Sequence, residues 1–166
     1  SSAAQVAAFR TVAGTCAMPV ALAACPRCPL AHLPTPPAGM RRRRDALAGE
    51  MKTTPPRLFI KRDDCTGLAG GGNKTRKLEY LLGEALASGC DTVVTTGAVQ
   101  SNHARQTAAA AAAAGLRCIL VLFDTVPYRG GNYRSSGNLL LDRVLGAEVR
   151  IEPADADARL LCFPSF

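Results

Sequence analysis

The sequence has no tryptophan, and aromatic residues make up only 5% of its 166 positions. A core of large rings is excluded, so Ala, Leu and Val must fill the interior. No apolar run reaches the about 18–20 residues that a membrane-spanning helix needs, and no membrane partner is expected. Acid is scarce at the front: residues 1–57 hold eight Lys and Arg but two Asp and Glu. The formal net charge of +7 therefore sits mainly there, and residues 58–166 are nearly neutral. That basic excess rests on Arg41, Arg42, Arg43 and Arg44. A run of this kind is usually a solvated or targeting feature, so no nucleic-acid partner is expected. A matched cysteine framework is missing too. The seven cysteines are odd in number and irregular in spacing, which points to a reducing compartment. Cys25 and Cys28 form one C-x-x-C with no second pair, so no metal site is expected.

What is present divides the chain into four stretches. Residues 1–25 are rich in Ala, Ser, Thr and Val, carry Arg10 and have no acid. They suit a disordered or transit-like leader, with an intracellular destination, cytoplasmic or organellar. Residues 26–57 hold seven of the eleven prolines and the Arg run, and are expected to form an extended arm. Residues 58–152 alternate strand and helix patterns, and residues 153–166 form an irregular tail.

Within 58–152 the expected strands are Arg57–Arg62, Asp91–Thr96, Arg117–Phe123 and Glu148–Glu152. Between them, Asn73 is placed as the cap of a helix that Gly89 stops. Leu78, Leu81, Leu82, Ala85 and Leu86 form its apolar stripe. Ser101 or Asn102 caps a second helix that runs through seven alanines to Gly115. Ser135 or Ser136 opens a third, ending near Gly146. The expected fold class is α/β, a mostly parallel sheet with helices on both faces. Ligands in such sheets sit beyond the carboxyl ends of the strands.

Two turns occupy that position. Gly67-Leu68-Ala69-Gly70-Gly71-Gly72-Asn73-Lys74-Thr75 leads into a helix N-terminus, a natural anion site. It is not a triphosphate loop, because Asn73 separates the last glycine from Lys74. Lys74 falls in the first helical turn, close to Arg76 and Lys77. Helix dipole and like charge both favour its neutral amine, which can attack a carbonyl. A solvated surface lysine is the alternative. The second turn, Gly97-Ala98-Val99-Gln100-Ser101-Asn102-His103, brings a hydroxyl, an amide and an imidazole to a helix start. Such a turn can hold a carboxylate, or Ser101 and Asn102 can merely cap the helix.

Together, Lys61-Arg62-Asp63-Asp64, Gly71-Gly72-Asn73-Lys74-Thr75-Arg76-Lys77-Leu78-Glu79 and Gln100-Ser101-Asn102-His103-Ala104-Arg105-Gln106-Thr107 carry a resemblance. They resemble the D-cysteine desulfhydrase and 1-aminocyclopropane-1-carboxylate (ACC) deaminase family. These are fold-type-II enzymes dependent on pyridoxal 5′-phosphate, related to the tryptophan synthase β subunit. Pro29-Leu30-Ala31-His32-Leu33-Pro34-Thr35-Pro36 resembles the family's N-terminal arm.

The resemblance implies that Lys74 bonds the cofactor and moves the substrate proton. It implies a place for Lys77 near the cofactor phosphate and for Asn102 on the phenolic oxygen. Ser101, Asn102 and His103 match the substrate-carboxylate site, and Ser101 also matches a catalytic residue. The implied reaction is α,β-elimination or deamination of a small amino acid. His103 resembles the D-cysteine form, which gives pyruvate, hydrogen sulfide and ammonia, where ACC deaminases tend to carry Gln. The matching stretch corresponds to the family's N-terminal half. A truncated form with little or no activity alone, a homodimer if complete, is therefore expected. A non-catalytic family-derived fragment is the alternative.

Overall fold

The structure, a computed structural model, describes residues 7–8, 22–51, 53–127 and 130–156. The proposed leader lies outside the described residues except for 7–8 and 22–25, and the tail except for 153–156. Cys16, Tyr128 and Cys162 are also outside them. Cys25, Cys28, Cys65, Cys90 and Cys118 are free thiols. No helix among the described residues is long and apolar enough to cross a membrane.

Four parallel strands form the main sheet, in the order β1 (Ala7–Ala8), β4 (Thr92–Ala98), β5 (Arg117–Asp124), β6 (Glu148–Pro153). Val93 pairs with Cys118, and Leu120 with Val149. Side chains alternate across a strand. Val93, Cys118, Leu120 and Leu122 accordingly enter one buried cluster, while Val149 and Ile151 pack against it. Helices α2 (Lys74–Ala87), α3 (Asn102–Ala114) and α4 (Gly137–Val144) supply Leu78, Leu82, Ala85, Ala104, Ala108, Ala110, Ala111 and Leu139 to the same cluster.

The alanine run explains how α3 occupies the centre. It touches α2, α4, β4 and β5. Small side chains let all four approach closely, and Ala carries no helix-propensity cost. α3 begins at Ser101, whose Oγ accepts from the Ala104 amide at 3.2 Å, and Gly115 closes it in the left-handed region. Of the expected apolar stripe on α2, Leu86 stays 42% exposed.

Three local expectations are corrected. Arg57–Arg62 does not join the parallel sheet. Its core, β3 (Phe59–Lys61), pairs antiparallel with β2 (Pro37–Gly39) in a separate two-stranded sheet. The Arg run does not lie in an extended arm; it opens helix α1 (Arg41–Glu50). Arg41 to Arg44, Ala46, Leu47 and Ala48 are sound helix formers, and the stretch lies between Pro37 and Pro55. Asn73 does not cap α2, because it has helical backbone angles and makes no side-chain capping bond.

The arm is tied down by one buried acid. Glu79 on α2 is 1% exposed. Its Oε1 accepts from the amides of Leu30 and Ala31, each at 2.8 Å. Its Oε2 accepts from Arg27, and its carbonyl accepts from the Cys28 amide at 2.8 Å. Burial pushes the Glu79 carboxyl up, but the two amides and Arg27 outweigh it and leave it below the ordinary value. Because the folded value is depressed, this stabilisation is present above the unfolded carboxylate range and is lost as pH falls through the folded value. Glu79→Ala should cost about 2–4 kcal/mol in urea unfolding at neutral pH. A loss under about 0.5 kcal/mol would remove the anchor role.

Asp142 is the opposite case. It is fully buried on α4, and neither carboxylate oxygen has a hydrogen-bond partner. Burial raises its carboxyl from 3.8 to about 6, against the opposing pull of Arg105 and Arg143. A raised folded value means that the ionised group costs stability above about pH 6. Asp142→Asn should therefore stabilise the fold by about 1–2 kcal/mol at pH 8, with the gain shrinking as pH falls toward 4. Equal stability of the two proteins across that range would contradict the assignment.

Candidate functional site

Both glycine-bearing turns lie at helix N-termini, and the structure joins them through α2 and α3. The chain reaches the first turn through two short 3₁₀ segments, Asp63–Thr66 and Leu68–Gly70. Gly71 (φ 75°) and Gly72 (φ 139°) then pass through backbone space that side chains rarely enter. A Cβ on Gly71 would lie 1.9 Å from the Asp64 carbonyl oxygen, and one on Gly72 would lie 2.4 Å from Gln106 Nε2. Thr66, fully buried, staples this turn: its Oγ1 accepts from the Gly72 amide at 2.8 Å.

Lys74 is the first residue of α2 and is half-buried. Lys77, one turn on, is exposed along much of its length. Partial burial and the charge of Lys74 nevertheless hold the Lys77 amine below its ordinary value. Arg76 between them points elsewhere. Its guanidinium bonds both oxygens of Asp63, at 2.7 and 3.0 Å, and Thr35 Oγ1 at 2.8 Å. These bonds hold Asp63 low and Arg76 high. Among the described residues, neither the Lys74 nor the Lys77 side chain has a hydrogen bond or ion pair.

Ser101, Asn102 and His103 form the start of α3. The Ser101 hydroxyl oxygen serves as the cap described above, which leaves its O–H free to donate. The Asn102 side chain is exposed, and the Asn102 backbone carbonyl accepts from Gln106 Nε2 at 3.3 Å. His103 is half-buried; its Nε2 lies 3.2 Å from Thr95 Oγ1 on β4, and its Nδ1 is buried without a partner. Burial, then the charges of Lys77 and Lys74, press the imidazole from 6.5 down to about 4. His103 is thus neutral near pH 7, and the two lysines lie within its electrostatic reach. The structure therefore brings Lys74, Lys77 and His103 into one field, with Ser101 and Asn102 on the same turn as the imidazole.

Sequence reasoning missed the residues that hold this arrangement. Gln106 is fully buried and bonds both turns. Arg105 donates to the Gly71 carbonyl at 3.2 Å and to Asn138 Oδ1 at 3.0 Å. Gln100 ties the second turn to the loop before α4: its Nε2 donates to the Tyr133 carbonyl, and its Oε1 accepts from the Asn138 amide. The signal for them was weak. All three lie in the polar stretch Gln100–Thr107, where nothing local sets them apart, and apart from Asn102 their partners lie more than 30 residues away.

Two comparisons with known proteins bear on this arrangement. The profile of a family described as pyridoxal-phosphate dependent enzymes matches residues 38–161. A solved crystal structure of an ACC deaminase homologue is 43% identical, with a TM-score of 0.68 over 84% of this chain. This chain spans 38% of the length of that one.

The depressed His103 imidazole gives a direct check. Its folded value lies below the unfolded one, so its contribution to stability is whole above about 6.5 and is lost as pH falls through about 4. A ring-proton NMR titration should show His103 unchanged from pH 8 to 6, with a midpoint near 4. A midpoint at or above 6.5 would mean the ring is not held between the sheet and the lysines.

Proposed function

The chain belongs to the pyridoxal-phosphate dependent enzyme family, and we propose that it uses Lys74 to hold that cofactor and act on a small amino acid. The reaction class is elimination or deamination. The observation that carries the proposal is the pair of cations at the start of α2. Lys74 and Lys77 have no acidic partner among the described residues, while the neighbouring Arg76 is fully engaged by Asp63 and Thr35. An anionic, aldehyde-bearing ligand suits that pairing: one amine can condense with the aldehyde while the other offsets phosphate charge. The glycine turn supports the same fit, because side chains at 71 and 72 would collide with the backbone and with Gln106.

Pyridoxal phosphate, when bound, supplies an electron sink for charge that develops on the substrate's α-carbon. The protein's own residues do the rest. Lys74 Nζ carries the proton to and from that carbon. Lys77 contributes positive charge at the phosphate end. The Asn102 side-chain amide, exposed and without a hydrogen bond among the described residues, would donate to the cofactor's phenolic oxygen. The Ser101 hydroxyl, its oxygen already used as a cap, orients its proton toward the substrate carboxylate. His103 stays neutral there and does not compete with the lysines for the anion.

His103 favours D-cysteine as substrate, with water consumed and pyruvate, hydrogen sulfide and ammonia released. The 43% identity to an ACC deaminase homologue favours the second reading, deamination of ACC. Pyridoxal phosphate added to the purified chain, followed by borohydride reduction and peptide mapping, tests the shared part of both. The label should fall on Lys74 and disappear in Lys74→Ala, with no gain elsewhere. Label scattered over several lysines, or none, would overturn the assignment. D-cysteine and ACC offered separately then decide between the substrates.

A further inference from the structure

We infer that Gln106 is the positioning residue that locks the Lys74 helix start to the Ser101–His103 turn; this rests on the cofactor assignment above only for its consequence, not for its geometry. The first amides of an α-helix have no partner within the helix. In α2 the expected local cap fails, since Asn73 makes no capping bond. The Thr75 amide, one residue after Lys74, instead donates to Gln106 Oε1 at 3.0 Å, sharing a longer 3.3 Å contact with the Gly72 carbonyl. The Thr75 hydroxyl donates to the same oxygen at 2.9 Å. The opposite end of the Gln106 amide donates to the Asn102 carbonyl.

One planar group therefore spans both turns. Its acceptor end serves the turn that presents Lys74, and its donor end serves the turn that presents Asn102. Gln106 and Thr75 are both fully buried, so water cannot replace either bond without opening the interface. The side chain is also fixed sideways: a Cβ at Gly72 would lie 3.1 Å from its Cδ. A carboxylate at 106 would keep the acceptor end and lose the donor end, and an aliphatic chain would lose both.

This division makes the inference testable apart from folding. Amide exchange at Thr75 should be slow in the parent chain. It should quicken by about tenfold or more in Gln106→Leu, the scale of one lost hydrogen bond, and stay slow in Gln106→Glu. Pyridoxal phosphate with borohydride should label Lys74 in the parent, and label it less than neighbouring lysines in Gln106→Leu. Gln106→Glu should recover part of the Lys74 label through the retained Thr75 bonds. Unchanged Thr75 exchange in folded Gln106→Leu would overturn the inference. So would Gln106→Glu exchanging about tenfold or more faster than the parent, an outcome that needs no folded leucine form. If the parent chain itself takes no label on Lys74, the cofactor assignment fails, and the exchange results still decide the role of Gln106.

Discussion

The close passage of Gly71 and Gly72 between the Asp64 carbonyl and the Gln106 amide is the constraint on which the site depends. Neither position has room for a side chain, and both have positive φ. The turn must therefore be built from glycine, and it must be held from outside, because glycine itself offers only backbone groups. Thr66 holds the inner side through its hydroxyl, and Arg105 holds the Gly71 carbonyl from α3. With the turn pinned at both ends, the next residues have little freedom. Lys74 leaves the turn at the first position of α2, with its backbone direction already set.

Charge is sorted around that point. Five basic side chains lie on or near the two turns, and the structure treats them differently. Arg62 and Arg76 are paired with Asp64 and Asp63, and Arg105 donates from its two terminal nitrogens to Asn138 and a backbone carbonyl, its Nε buried without a partner. Lys74 and Lys77 have no acidic partner among the described residues. Their field, added to burial, keeps His103 neutral. An imidazolium there would raise the local charge further and would need an anionic partner that the described residues do not provide. The arrangement suits the proposed anionic ligand, as a site preorganised for charge that the ligand brings would.

Much of the parallel sheet could be read from local pattern. The strands around Val93 and Leu120 announce themselves by β-branched and apolar runs, and Gly89 and Gly115 mark the ends of α2 and α3. The second turn could also be located, since it follows a strand of the parallel sheet, whereas the first follows a strand that belongs to the separate two-stranded sheet. What could not be read depends on partners far along the chain. The antiparallel pairing of Pro37–Gly39 with Phe59–Lys61 spans a helix that the proline-rich composition obscures. Asn73 has the residue type of a cap, yet its bond is supplanted by Gln106, 31 residues beyond Thr75. Glu79 lies outside the apolar stripe read on α2, and only the arm folding across that helix makes it a buried anchor.

The scarcity of aromatics and the alanine run are two sides of the same solution. A helix that touches two strands and two helices must be slender, and α3 carries Ala at 108, 110 and 111 where these neighbours converge. Its N-terminus carries Ser101, Asn102 and His103, and its second turn carries Arg105 and Gln106. Any thickening of α3 would move those five residues together, relative to both β4 and α2. Ala110 is fully buried, so a larger side chain there finds no free room and must displace its neighbours. Packing density in the core and alignment of the two turns are therefore one property, and the small side chains that permit the first also fix the second.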